Sequence, residues 1–375
     1  MDINNWNDST KRTVMECLVT DNTTIMTGNR KLLAETSRII YGYVLPVVCI
    51  FGIVGNVMNL AILTRRKLTK SFKSLERAAN MCLIALALSD FCFCLFAFPT
   101  SFLPSDDMFA NKGFLFYYRM YCTGIINIFI LTSTWLTVTM SVERYLAICH
   151  PFKQTFFLTI KKTKKIIVIV YIVSVLFNIP VFWRYDLKVI KCNNGTEFFF
   201  QPTRVMLAHS EMFDSIYRIL WAIIGNFAPL ILLIGFNICL CRKIHNSYKF
   251  RQKFRRDEHQ GQSDAGQTLT ITLVVIVVMF LILVAPSEVV MHAGQIMHRA
   301  NDATYKTIEV ILNFMQCVNF SVNFVLYCII SPYFRRTLKY ILLCRWYFGR
   351  KKKFYLEISM KKVTFSHYSR RSSSM

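Results

Sequence analysis

Long apolar stretches, separated by short polar connections, make up most of this chain. A helix needs roughly 20 apolar residues to cross a bilayer core about 30 Å thick. Seven stretches reach or approach that length: Tyr41–Leu63, Ala79–Phe98, Thr123–Val142, Ile166–Phe182, Ile219–Cys241, Leu269–Val290 and Ile308–Ile330. The pattern predicts an all-α membrane protein folded as a seven-transmembrane helix bundle.

Both ends of the chain are polar and too short to bury a core of their own. We therefore expect a tail over residues 1–40, a membrane domain over 41–344 and a disordered tail over 345–375. Basic and apolar residues occupy opposite faces over residues 333–344, which predicts a short amphipathic helix on the inner leaflet. The mean hydropathy of +0.38 supports a membrane domain.

The net charge of +24 is carried largely by alternate connections and by the C-terminal segment. Basic residues crowd Arg65–Lys67, Lys161–Lys165, Arg242–Arg256 and the segment from Arg335 onward. The positive-inside rule makes these segments cytoplasmic and the N-terminus extracellular, which requires an odd number of spans. We expect a multi-pass plasma-membrane protein whose basic segments contact anionic membrane lipid, with no nucleic-acid partner.

Modification sites fit the same orientation. Asn7, Asn22 and Asn194 begin Asn-x-Ser/Thr sequons on the predicted outer side, and we expect them to be glycosylated.

Cysteines at the two predicted faces have different expected chemistry. An oxidising exterior allows a disulfide among the outer cysteines Cys17, Cys122 and Cys192. Cys344 follows the amphipathic segment on the inner side, where palmitoylation suits it; a reduced thiol is the alternative.

Asp90 is a carboxylate well inside the second span, where an isolated charge costs at least about 2.5 kcal/mol. Polar residues at matching depth in other spans are its candidate partners: Asn56, Ser133, Asn319 and Asn323. Because hard cations prefer oxygen ligands, Asp90, Ser133, Asn319 and Asn323 are a candidate Na⁺ site. A protonated, hydrogen-bonded Asp90 is the alternative. No other cofactor is expected.

Several motifs in these spans occur together in one known family. They are Gly55-Asn56-Val57, Leu86–Asp90, Glu143-Arg144-Tyr145 and the residues up to Pro151, Pro229, Pro286, and Asn323–Tyr327. From about residue 41 to 344 the chain resembles the rhodopsin-like G-protein-coupled receptors. The stretch Leu131–Val138 is similar to invertebrate neuropeptide receptors of the FMRFamide-like group.

The resemblance implies a receptor that signals to a heterotrimeric G protein and then to arrestin, and not an enzyme. The residues that it assigns to coupling and activation are Glu143, Arg144, Tyr145, Phe152, Asn323 and Tyr327. Arg144 would hold a salt bridge to Glu143 in the closed bundle and turn to the partner protein when the bundle opens. The resemblance also implies a Cys122–Cys192 disulfide.

Several positions depart from the family pattern, and the fourth span lacks its usual tryptophan. Phe324 stands where a proline is usual, Val284 where a tryptophan is common, and Asn237 where a tyrosine commonly faces the arginine. Cys122 precedes Arg144 by 22 residues, about one helical turn less than the family spacing.

The outer ends of the spans carry the residues that indicate the class of ligand. The stretch Asn313–Cys317 has no lysine for retinal, and Thr123–Ile128 has no carboxylate for an amine. The candidate ligand-binding residues are Glu288, His292, Glu309, Asn313, Ile126 and Asn127. Acidic groups among aromatic side chains suit an extracellular neuropeptide that contains Arg and Phe, amidated or not. A lipid or a small hormone is the alternative.

Two other classes of membrane protein are disfavoured. The seven histidines are scattered without an i, i+4 pair, and neither a Gly-x-Ser-x-Gly elbow nor a phosphate loop is present, which argues against an enzyme. No repeat relates the two halves, which makes a transporter or channel a more distant alternative.

Overall fold

The computed structural model describes residues 28–65, 74–104, 107–150, 159–192, 197–206, 210–253, 264–297, 302–331, 334–341 and 343. Five predicted site residues lie outside these ranges: Asn7, Asn22, Phe152, Asn194 and Cys344. The tail predicted over 345–375 also lies outside them.

Besides four short 3₁₀- and π-helical turns, these ranges contain ten α-helices and one β-hairpin. They are α1 (Gly28–Ile39), α2 (Leu45–Leu63), α3 (Ser74–Ala97), α4 (Phe114–Cys149), α5 (Ile160–Asn178), β1 (Tyr185–Cys192), β2 (Glu197–Arg204), α6 (Glu211–Leu220), α7 (Ala228–Lys253), α8 (Asp264–Leu283), α9 (Ala285–Ile296) and α10 (Ala303–Ile330). The first span is α1 with α2, the second α3, the third α4 and the fourth α5. The fifth span is α6 with α7, the sixth α8 with α9, and the seventh α10.

Six of these spans are long and apolar enough to cross a membrane, and the sixth span contributes a shorter apolar helix, Val274–Ser287. The predicted seven-helix fold is confirmed. The predicted bounds mark where the apolar sequence lies, and several helices continue past it. The first helix already begins at Gly28, within the predicted tail. The helix of the third span, α4, begins at Phe114.

The sixth span is divided where α8 ends at Leu283 and α9 begins at Ala285. Pro286 explains the break, because proline has no N–H to donate and its ring obstructs the carbonyl four residues earlier. The continuous span predicted over Leu269–Val290 is therefore two helices.

A proline also follows each of two π-helical turns, Ile40–Val44 and Trp221–Phe227. A wider turn accommodates the proline ring and redirects a backbone carbonyl. The indole Nε1 of Trp135, in the third span, donates to the backbone oxygen of Ile224, in the π-helical turn of the fifth span, at 3.1 Å. The third span thus stabilises the wide turn of the fifth.

The connection between the fourth and fifth spans folds as an antiparallel hairpin. Its register pairs Tyr185 with Arg204 and Cys192 with Glu197. Phe109, from the connection before the third span, pairs with Phe200 through N–H···O bonds of 3.0 and 2.9 Å. We call the end of the bundle that carries this hairpin the hairpin end, and the opposite end, where the third span finishes, the Arg144 end.

Residues from Tyr327 onward form a separate compact unit. Within it, the ring of Tyr327 lies 5.5 Å from that of Phe334, and Arg335 Nη1 donates to the backbone oxygen of Ile329 at 2.7 Å. Residues 334–341, within the predicted amphipathic segment, are helical. Arg335, Arg336 and Lys339 are exposed there, while Phe334 is buried.

Candidate functional site

A polar cluster surrounds Asp90 at the centre of the bundle. Asp90 is fully buried. Its Oδ1 lies 2.8 Å from the hydroxyl of Ser133, and its Oδ2 accepts from Asn323 Nδ2 at 2.6 Å. Two of the candidate partners are therefore in direct contact with the carboxyl group, and they come from the third and seventh spans.

The number of hydroxyl protons near Asp90 determines whether every hydrogen bond of this cluster can form. Ser133 Oγ also lies 2.9 Å from Ser89 Oγ, and Ser89 donates to the backbone oxygen of Phe129 at 3.1 Å. Each hydroxyl has one proton to donate. If Asp90 is protonated, every contact in the series has its own proton. Asp90 donates to Ser133, Ser133 donates to Ser89, and Ser89 donates to the carbonyl of Phe129. An ionised Asp90 leaves the Ser133–Ser89 contact without a proton.

The oxygen atoms of Asp90, Ser133 and Ser89 nevertheless fit a hard cation such as Na⁺. A bound ion would use the Ser89 and Ser133 oxygens as ligands instead of as links in a proton chain. Asn323 presents its NH₂ group to Asp90 and so donates to the carboxyl group. Asn319 is buried one helical turn earlier.

Asn56, the last of the four candidate partners of Asp90, donates to backbone oxygens of the first and seventh spans. Its Nδ2 donates to the backbone oxygen of Phe320 at 2.9 Å and to that of Gly52 at 3.0 Å. The amide thus joins the first and seventh spans. Close approach is also built in at Gly52, where an added Cβ would lie 2.5 Å from both Cys94 Sγ and Ser321 Oγ.

At the Arg144 end, Glu143 and Arg144 are both buried. Glu143 Oε1 accepts from the hydroxyl of Thr163 at 2.9 Å, and Oε2 lies 3.7 Å from the thiol of Cys82. No Glu143–Arg144 salt bridge is found among the ion pairs of the described residues. The carboxylate is therefore held by the fourth and second spans, because their hydroxyl and thiol reach it.

The fifth span contacts the third on the same end. Asn237 Nδ2 donates to Leu233 O at 2.7 Å and to Ser141 Oγ at 3.3 Å. The ring of Tyr145 lies 5.2 Å from that of Phe236, and its hydroxyl is 3.2 Å from His150 Nε2. The amide at position 237 thus binds the third span one helical turn before Arg144.

Towards the hairpin end, predicted ligand residues of the seventh span meet two residues that the sequence did not single out. Asn313 Oδ1 accepts from the hydroxyl of Ser287 at 2.9 Å. The side chain of Tyr41 lies beside Asn313 and within electrostatic range of Glu309. Tyr41 was missed because a tyrosine in an apolar stretch has no distinguishing signal.

The remaining ligand candidates lie on the third and sixth spans. Ile126 packs, as does Tyr41, against the apolar cluster that contains Phe320, and Asn127 is half-buried. Glu288 and His292 lie on α9, and their side chains fall outside what the structure describes.

The hairpin is fastened to the third span by Arg119. Its guanidinium forms an ion pair with Asp107, donates to the hydroxyl of Tyr185 at 3.1 Å, and lies 4.9 Å from the Tyr185 ring. Arg119 lies one turn before Cys122. The usual family spacing would place a cysteine at the position of Arg119. The Cys122 thiol is buried and lies 3.7 Å from the backbone oxygen of Arg119. Cys122 is a free thiol in the structure, so the predicted Cys122–Cys192 disulfide is not formed there; the side chain of Cys192 is outside the described set.

These features define a class of protein. Seven spans enclose a buried carboxyl group, a buried Glu-Arg pair lies near the end of the third span, and a hairpin is fastened over the opposite end. Within the described ranges, no group of three or more His, Cys, Asp or Glu side chains is placed to hold a metal ion. The architecture is that of a multi-pass transmembrane receptor.

The chain belongs to the rhodopsin family of seven-transmembrane receptors. The family model described as 7 transmembrane receptor (rhodopsin family) matches residues 55–327. This match confirms the resemblance seen in the sequence motifs.

Individual relatives are receptors of several kinds. The chain is 26% identical to the FMRFamide receptor of Drosophila melanogaster over 326 residues, which cover 84% of this chain and 56% of that protein. It is 24% identical to the sex peptide receptor of Drosophila melanogaster, over 83% of this chain and 74% of that protein. A shorter match, 35% identical, covers 37% of this chain and 32% of the neurotensin receptor type 1 of Rattus norvegicus. The chain thus spans little more than half the length of the first of these relatives.

Proposed function

We propose that this protein is a plasma-membrane receptor that binds an extracellular neuropeptide and activates a heterotrimeric G protein. In this proposal the hairpin end and the N-terminus are extracellular, and the Arg144 end faces the cytoplasm. The distribution of basic segments supports that orientation, because Arg65 and Lys161–Lys165 adjoin the Arg144 end.

The observation that carries the coupling proposal is the buried Glu143-Arg144 pair at the end of the third span. Burying a carboxylate and a guanidinium at a helix end is costly unless the arrangement has a use. Thr163 and Cys82 hold the carboxylate while the bundle is closed. An opened bundle would expose Arg144 to a G protein, which is a two-state element that a ligand at the hairpin end biases.

The proposal of a peptide ligand is supported by the relatives and by the hairpin end. Receptors named for FMRFamide and sex peptide match more than four fifths of this chain. Near that end the phenol of Tyr41 lies beside the amide of Asn313 and within electrostatic range of the Glu309 carboxylate. Such a group suits a peptide with a cationic side chain and aromatic residues. Glu288 and His292 on α9 belong to the same proposed site.

Arrestin and anionic lipid are proposed as further partners at the cytoplasmic side. The exposed basic residues Arg335, Arg336 and Lys339 support the lipid contact.

The test is a screen in transfected cells with a promiscuous G protein and a calcium readout. We expect a saturable response to one class of neuropeptide, with amidated Arg-Phe peptides included in the library. Cells that express the Arg144→Ala variant at equal surface density are the control. A response to lipids or small hormones but to no peptide would contradict the ligand proposal, and ion current without a G protein would contradict the coupling proposal.

A further inference from the structure

A cluster of arginines surrounds one aspartate at the hairpin end. Arg184 lies between the fourth span and β1, and Arg204 ends β2 opposite Tyr185. Arg218 and Asp214 lie on α6. Arg184 Nη2 is 3.5 Å from Asp214 Oδ1, and Arg218 Nε is 3.4 Å from Asp214 Oδ2. One carboxylate is thus shared by two guanidinium groups at long distances.

Arg184 has a hydrogen-bonded backbone but a guanidinium that lacks a hydrogen-bond partner at one nitrogen. It is 9% exposed, and its buried Nε has no hydrogen-bond partner. Its backbone is fixed on both sides, since its N–H donates to Val181 O at 3.1 Å and its oxygen accepts from Val205 N at 2.9 Å. A buried donor without an acceptor carries its full desolvation cost, so an arrangement that keeps one calls for a missing acceptor.

Positive charge exceeds negative charge in this cluster. Burial lowers the pKa of the Arg184 guanidinium, and the nearby charge of Arg204 lowers it further, while Asp214 raises it. Arg204 is exposed and takes part in none of the ion pairs found in the described part of the chain. Three cations and one carboxylate leave room for another anion.

We propose that Arg184, Arg204 and Arg218 form a binding site for an oxyanion, a carboxylate or sulfate group. The planar guanidinium binds such groups through two parallel N–H···O bonds, and Arg184 and Arg218 are already oriented by Asp214. The site comes from the fourth and fifth spans and the hairpin, so it is distinct from the acidic residues of the sixth and seventh spans. The oxyanion is either a free ion or an acidic group of the extracellular ligand.

The site is tested first with inorganic sulfate as the probe. The full-length receptor is placed in nanodiscs of zwitterionic phosphatidylcholine, and its Tm is followed while low millimolar sulfate replaces chloride at constant ionic strength. A specific site gives a saturable rise of about 2 °C in wild type. We expect the rise to be lost in Arg184→Gln and in Arg204→Gln, and retained in Lys188→Gln, which removes an exposed charge from the same hairpin.

Two results would overturn the site. One is the absence of a saturable rise in wild type with sulfate and with acetate. The other is an equal rise in the arginine variants. Arg204 is exposed, so the Arg204→Gln variant carries the test if Arg184→Gln does not fold.

A second experiment separates the two sources of the oxyanion. An activating peptide from the screen is compared with a version whose acidic residue is replaced by its amide. A ligand-borne oxyanion predicts about tenfold lower potency for the amide at wild type and equal potency of the two forms at Arg204→Gln. Equal potency at wild type, together with sulfate binding, identifies a free ion as the occupant. If no peptide activates the receptor, the sulfate titration still decides the site independently.

Discussion

The guanidinium of Arg119 meets the carboxylate of Asp107 through two parallel contacts, Nε to Oδ1 at 2.7 Å and Nη2 to Oδ2 at 2.8 Å. Asp107 adopts a positive φ of 53°, a backbone region in which aspartate is enriched among non-glycine residues. With the Phe109–Phe200 backbone pair and the Tyr185 hydroxyl, the contact joins the third span, the loop before it and the hairpin. A non-covalent fastening thus holds the hairpin at the position where the family pattern would place a cysteine.

The fork geometry of Arg119 is the first testable feature. Arg119→Lys keeps the charge but loses the two-point contact and the reach to Tyr185. We expect a loss of about 1 kcal/mol of stability, since the pair is partly exposed, and faster protease cleavage of the hairpin on intact cells. Arg30→Gln, an exposed arginine on the first span, is the control. Cleavage rates equal to that control would show that the pair does not hold the hairpin.

Arg144→Ala tests the coupling proposal directly. Removal of the guanidinium takes away the group that an inserted G-protein segment would bind, while the hairpin end is untouched. We expect G-protein signalling to be abolished and peptide binding to persist, measured by dose–response and by labelled-peptide binding on the same cells. Parallel loss of both at normal surface expression would argue that Arg144 maintains the fold and does not serve coupling.

The contacts of Glu143 predict how the closed bundle is stabilised. Thr163→Val removes the hydroxyl that donates to Glu143 and leaves a buried carboxylate short of one hydrogen bond, at a cost of about 1–3 kcal/mol to the closed state. We expect higher ligand-independent signalling, measured as basal G-protein activation per receptor at the surface. Thr163→Ser keeps the hydroxyl and should remain at the wild-type level. Basal activity that is equal in the two variants would refute a role for this bond.

The sequence could predict Asp90, Ser133 and Asn323 as one cluster because polar residues inside spans are rare and must find one another. It could not predict that Glu143 binds Thr163 and Cys82. Threonine and cysteine occur in apolar spans for packing alone, and lateral register between helices leaves no local pattern. The early start of the first helix at Gly28 was hidden for a related reason: polarity marks the edge of the membrane, whereas the helix continues beyond it.

Na⁺ and a proton are expected to compete at Asp90. A cation there requires the ionised carboxyl group, whereas the chain from Asp90 through Ser133 and Ser89 to a carbonyl requires a proton. We expect NaCl to raise the Tm of the purified receptor relative to choline chloride at equal ionic strength, and more so as the pH rises. Asp90→Asn should abolish the difference, while Asp302→Asn, an exposed aspartate, should preserve it. An undiminished Na⁺ effect in Asp90→Asn would place the ion elsewhere.

Glu288 is expected to pair with a cationic group of the peptide. It lies on α9 just after Pro286, in the part of the sixth span that faces the hairpin end. An ionised carboxylate inside a span is costly without a partner, and a ligand cation would supply one. Glu288→Gln should lower peptide potency by about tenfold or more and leave surface expression intact. Glu35→Gln, an exposed acid on the first span, is the matched control and should give the wild-type dose–response curve. Substituting the peptide arginine with citrulline should weaken wild type and leave Glu288→Gln unaffected, and equal weakening of both receptors would mean that the cation binds another residue.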